Sequence, residues 1–96
     1  MSDLFTATAS VELWIPGAHT LKERRAVIKS IVERVRHRFN CAVAQLDTND
    51  RVDRAVIGLA CISNDEGHAR RQRDHILRFM EEDGRAEIIT AQTDIL

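Results

Sequence analysis

From Ala7 to Ile15 apolar and polar residues alternate along the chain: Ala7, Ala9, Val11, Leu13 and Ile15 against Thr8, Ser10, Glu12 and Trp14. A period of two with one apolar side predicts a half-buried strand. Pro16-Gly17 ends it, because proline has no N–H for a ladder and glycine permits the turn. Thr20-Leu21-Lys22-Glu23 then has the form of a capping box. Behind it Ile28, Ile31, Val32, Val35 and Phe39 recur every three or four residues, which predicts an amphipathic helix to about Arg38. Cys41–Asp47 predicts a second strand, and Arg54–Ser63, nearly all apolar, a third. Ser63-Asn64-Asp65-Glu66 offers a second capping box. The helix after it runs to about Glu82, with Ala69, Gln72, Ile76, Leu77 and Met80 inward and Phe79 beside them. Asp83-Gly84 stops that helix, and Ala86–Asp94 supplies a last strand around Ile88 and Ile89.

Strand, helix, strand, strand, helix, strand is the order of the ferredoxin-like βαββαβ plan: an α+β fold, a four-stranded antiparallel sheet with both helices on one face. Ninety-six residues make a single domain, 1–96. Hydrophobic residues at 44% and charged residues at 30% describe a globular chain, and a net charge of −1 excludes a globally basic nucleic-acid coat. No apolar run approaches the ~18 residues of a membrane span. Met1-Ser2-Asp3-Leu4-Phe5 lacks the pattern of a secretion signal, so a cytoplasmic protein is expected. Cys41 and Cys61 lie in strand-like runs and are expected to be reduced, buried small hydrophobes.

The stretch Ile15-Pro16-Gly17-Ala18-His19-Thr20-Leu21-Lys22-Glu23-Arg24-Arg25 resembles the opening of the YlxP-like bacterial proteins. Arg36-His37-Arg38-Phe39-Asn40, Arg54-Ala55 with Gly58, and Ser63-Asn64-Asp65 extend the resemblance over essentially the whole chain. It implies a ferredoxin-like fold and no assigned activity. It also implies a role near ribosome assembly or translation, because genes of the family often lie between those of translation initiation factor two and ribosome-binding factor A. Two positions depart from the family pattern: Val52 stands where relatives usually carry tryptophan, and Asp53 where glutamine is common.

Charge separates one segment from the rest. Leu21–Arg38 holds seven cations against Glu23 and Glu33, a net +5, which leaves −6 for the remainder. At ~100° per residue Lys22, Arg25, Lys29 and Arg36 fall in one stripe away from the apolar face, interrupted only by Glu33. A row of cations on a helix can track phosphates and release counterions; the plainer alternative is a solvated helix face. Arg24 falls near the apolar stripe, where it either snorkels out of the helix end or pairs with an acid beneath. Lys22, Arg24 and Arg25 are also the cations of the family-like motif, so Lys22, Arg24, Arg25, Lys29 and Arg36 form the RNA-binding candidate set, with ribosomal RNA or a ribosomal subunit as partner.

The other face of the sheet is expected to be polar in a two-layer fold. If Ala55, Ile57, Leu59 and Cys61 face the helices, however, Val56, Gly58, Ala60 and Ile62 face away. Ala42, Ala44 and Leu46 join them, with Trp14 at the end of the first strand. An RNA-recognition sheet stacks bases on aromatics, and this chain has only four, of which Phe39 and Phe79 are assigned to the core. Small residues suit two backbones approaching closely, which predicts homodimerisation through the sheet or its edge.

Catalysis finds little support in the sequence. There is no nucleophile elbow, P-loop or dinucleotide fingerprint, and isolated Gly58 suits a close approach better than a phosphate cradle. His19, His37, His68 and His75 are scattered, with His68 and His75 on one outer face of the second helix. Asp47, Asp50 and Asp53 lack the alternation and glycine of a calcium loop. No metal, no cofactor and no membrane is expected. The chain is expected to be a non-enzymatic binding module. The alternative is a homodimeric adaptor or small-molecule sensor that contacts protein and no RNA.

Overall fold

The structure is a computed structural model and describes residues 2–46 and 50–96. Its elements are β1 (Phe5–Trp14), α1 (Leu21–Arg38), β2 (Ala42–Gln45), β3 (Arg54–Ser63), α2 (Glu66–Glu81) and β4 (Glu87–Ile95). Four antiparallel strands form one sheet in the order β2-β3-β1-β4. This is the ferredoxin-like arrangement that the alternation and helix spacing predict. β1 and β3, both buried on alternate residues, take the centre, while β2 and β4 form the edges. Asp47, the predicted end of the second strand and one acid of the expected loop, lies outside the described residues.

The core lies between the sheet and the two helices. Val11, Leu13, Ile57 and Cys61 from the sheet meet Ile31 and Val35 of α1 and Ile76 and Met80 of α2, all essentially inaccessible to water. Phe39 and Phe79 pack at its margin, half-buried, with rings 5.4 Å apart in an edge-to-face contact. Cys41 directly precedes the Ala42–Ala60 pair, which brings it beside Cys61 on the neighbouring strand. Burial pushes the Cys61 thiol up to about 11, with nearby Cys41 adding to the effect, so it is a poor nucleophile.

Both helix starts differ in detail from their capping boxes. Thr20 accepts a hydrogen bond from the Glu23 N–H at 3.1 Å as expected, but the Glu23 carboxylate accepts from His19, one residue before the cap. In α2 the cap is Asp65, whose carboxylate accepts from the Gly67 N–H, whereas Ser63 accepts from the Asp65 N–H in the turn before it. A carboxylate held at the first turn also complements the helix dipole. Gly84 ends α2 with φ of +82°, the left-handed stop. Arg73 takes the place predicted for Gln72 in the buried stripe of α2, and Gln72 is half-buried beside it.

Candidate nucleic-acid interface

The first helix carries two kinds of cation. Arg24, one turn before Ile28, is only 6% exposed. Its guanidinium donates to the carbonyl oxygens of Arg51 at 2.8 Å and Arg54 at 3.1 Å, on the segment that leads into β3. It therefore turns inward onto the backbone rather than snorkelling out of the helix end. The carbonyls of that turn need donors once covered, and an arginine fork can satisfy two. Arg24 leaves the phosphate-facing set. Val52, in the same turn, is half-buried, and the Asp53 carbonyl accepts from the Ile15 N–H.

Lys22, Arg25 and Lys29 are exposed, and among the described residues none of them forms an ion pair. Arg36, lower on the same stripe, donates one N–H to the Val43 carbonyl of β2 at 2.9 Å. Arg25, Lys29 and Arg36 share a groove of about 360 Å³ with Ile28, Val32, Ala44 and Gln45, between α1 and the β2 edge. On its other side Lys29 borders a larger open groove of about 730 Å³, which His37 also lines and where Arg34 and Arg38 stand over Phe79. The Arg38 guanidinium lies 5.1 Å from the Phe79 ring centre. Arg34 is bound to Asp83 at 2.7 Å.

Asp83 is almost fully covered and bridges Arg34 of α1 and Arg85 of the turn before β4, while Arg85 also donates to Ser30 of α1 at 2.9 Å. The Arg85 hydrogen bond is the largest influence holding its carboxyl below the usual range. Arg73 similarly packs inside, with its guanidinium on Asp74 at 3.1 Å and near the Asp94 carbonyl at 3.4 Å. Its spacing from Ala69, Ile76 and Met80 already places it on the apolar stripe, a signal in the sequence that residue type alone conceals.

The outer sheet face divides in two. Ala42, Ala44, Leu46, Val56, Gly58, Ala60 and Ile62 make its β2–β3 half, with Leu46 56% and Ile62 62% exposed. The β1–β4 half is polar along most of its length, with Thr8, Ser10 and Glu12 opposite Asp94, Gln92 and Thr90, and it ends where Thr6 pairs with exposed Leu96. The apolar surface is thus half the width of the sheet. Trp14 stands apart from it, beyond Glu12 and between Arg54 and Glu87. The close approach at Gly58 is made by this chain's own Leu46: a Cβ there would lie 2.6 Å from Leu46 Cδ1. Among the described residues no three His, Cys, Asp or Glu side chains converge as a metal site, and no helix is long and apolar enough to cross a membrane.

A family model described as "Protein of unknown function (DUF503)" matches residues 6–93. The chain belongs to the DUF503 family. A relative is the uncharacterized protein YlxP of Bacillus subtilis (strain 168), 32% identical over 73 residues that span 76% of this chain and 79% of that one. Among solved structures the de novo designed protein Foldit4 aligns with a TM-score of 0.50 at 19% identity, over 96% of this chain and 97% of the design. At that identity the likeness concerns fold alone. Family membership agrees with the YlxP-like resemblance of the motifs and assigns no activity to the DUF503 face just described.

Proposed function

We propose that the protein is a non-enzymatic binding module for structured RNA, ribosomal RNA in particular, and that the outer face of α1 holds the phosphates. The observation that carries this reading is the row Lys22, Arg25 and Lys29: exposed, aligned on one helix face, and without an ion pair among the described residues. Among the described residues Glu33 is the one exposed carboxylate on that helix face. A phosphate backbone supplies regularly spaced anions and releases counterions on binding. The groove beside β2 gives Arg25, Lys29 and Arg36 a common opening toward such a ligand.

The test is co-sedimentation with small and large ribosomal subunits at low and moderate salt, with the triple variant K22E/R25E/K29E alongside. Arg36 stays untouched because it also holds β2. The expected result is binding to one subunit that weakens steeply with salt and disappears in the variant, whose thermal stability stays within about 0.5 kcal/mol of the parent. Failure of the wild type to bind either subunit overturns the reading. It would leave the alternative, an adaptor or small-molecule sensor that contacts protein partners.

A further inference from the structure

The two edges of the sheet expose different amounts of unpaired backbone. Thr6 and Leu96 exchange both of their hydrogen bonds, Thr6 N–H to Leu96 at 2.9 Å and Leu96 N–H to Thr6 at 2.8 Å. In an antiparallel ladder such pairs recur every second residue. Thr8–Asp94, Ser10–Gln92 and Glu12–Thr90 therefore also face one another through their peptide groups. Their neighbours Ala91, Thr93 and Ile95 must then direct N–H and C=O away from β1, off the edge. Independent support comes from Ile95, whose N–H is taken by the adjacent Asp94 carboxylate at 2.8 Å rather than by β1.

Exposed edges in stable proteins are kept short, covered, or interrupted by proline, lysine or a bulge. The nine residues of β4, EIITAQTDI, contain neither proline nor lysine. The ladder irregularity lies opposite Glu12 and Leu13, near Ile89, and leaves the stretch from Thr90 onward regular. Ala91 and Thr93 are exposed although they lie on the helix side of the sheet, because the helix layer stops short of the edge strand.

We infer that this edge pairs with the same edge of a second copy, antiparallel and centred on Thr93, to give a homodimer with one continuous eight-stranded sheet. The occupant follows from self-complementarity. Centred on Thr93, the outward residues pair among themselves, Thr93 with its partner copy and Ala91 with Ile95 in both directions. Centring on Gln92 or Ala91 instead carries the pairing onto the irregular stretch around Ile89. On the outer face the chosen register sets Gln92 opposite Asp94, an amide against a carboxylate, and opposes no two charges of the same sign. Asp94 then exchanges the Ile95 N–H for the Gln92 amide of the second copy. A two-fold axis normal to the sheet keeps all four helices on one side, so both α1 rows face the same way. The inference stands on backbone geometry and does not depend on RNA binding.

The test is sedimentation equilibrium over a concentration series for wild type, T93K, T93E, an equimolar T93K/T93E mixture and A91P. Wild type is expected to be a reversible dimer. T93K and T93E each set like charges against themselves at the axis and raise the dissociation constant by about fivefold or more, while the mixture recovers a mixed dimer. A91P removes the outward N–H of each copy and weakens the dimer by more than about tenfold. Circular dichroism identifies an A91P chain that fails to fold, in which case the charge pair decides. A wild type that stays monomeric at every concentration overturns the inference. So does a dimer indifferent to the Thr93 charges, including one that dissociates instead on L46K, which would place the interface on the apolar half of the sheet face.

Discussion

β2 and β4 are the two edges of one sheet, and they are closed by different means. β2 has four residues and lies against α1. The Leu46 N–H donates to Val56 of β3 at 2.8 Å, which by the ladder's alternation turns the Val43 carbonyl outward, where Arg36 fills it. Leu46 folds back over Gly58 and covers part of the outer face beside it. β4 has nine residues; Arg73 of α2 reaches its Asp94 carbonyl at 3.4 Å, a group the ladder turns toward β1, while Asp94 itself accepts from the outward Ile95 N–H. Arginine on a neighbouring helix can therefore occupy an outward carbonyl that another strand would otherwise take. A basic helix such as α1 spends some of its cations on the fold and leaves others to the solvent.

The largest effect expected from disturbing that division is at Arg24. Replacing Arg24 by methionine keeps the buried stem but strands the Arg51 and Arg54 carbonyls beneath the helix end. The expected loss is about 3 kcal/mol, measured by urea denaturation through the fluorescence of Trp14, the only tryptophan. Hydrogen exchange should show the β2–β3 side opening before β1–β4. A variant as stable as wild type would mean that water satisfies those carbonyls.

Replacing Arg36 by methionine removes one charge-assisted bond at a less covered site, so a smaller loss of about 1 kcal/mol is expected. Its sharper consequence is exchange at β2 amides rising while β4 amides stay as they were. Equal change at both edges would show that Arg36 stabilises the helix generally and guards no edge.

Acid should act on the β4 side. The Asp83 carboxyl ties the turn before β4 to α1 through Arg34 and Arg85, and its folded pKa lies below the ordinary value of 3.8. A carboxylate with a depressed folded pKa contributes stability that is complete above its unfolded pKa and is lost as pH falls through the depressed value. Lowering pH below the ordinary value of 3.8 should therefore loosen the α2–β4 turn, and Asp83→Asn should remove that part of the pH dependence. This is the smallest of the expected effects, since Arg34 and Arg85 are half-exposed and partly screened. An unchanged acid profile in Asp83→Asn would assign the dependence to other carboxylates.

What the sequence determined by itself was the set of elements and their inward faces. The two-residue alternation of β1 and β3 and the three-and-four spacing of α1 and α2 are local periodicities, and each names the side that must leave water. The glycine stop at Gly84 and the Thr20 cap are local for the same reason. The same periodicity placed Arg24 near the buried stripe of α1, but it set Gln72 where α2 buries Arg73, and it did not say what either arginine would meet. Their partners, the carbonyls of Arg51 and Arg54 and of Asp94, lie twenty or more residues away and come within reach only when the sheet closes. Strand order was decided there too, and with it the split of the outer face into apolar and polar halves. Tertiary structure also sorted α1's cations into those that hold carbonyls and those that face solvent. Hydrogen-bond pairing across the sheet joins residues distant in the chain, so only the assembled ladder fixes which edge is guarded and which backbone groups point outward.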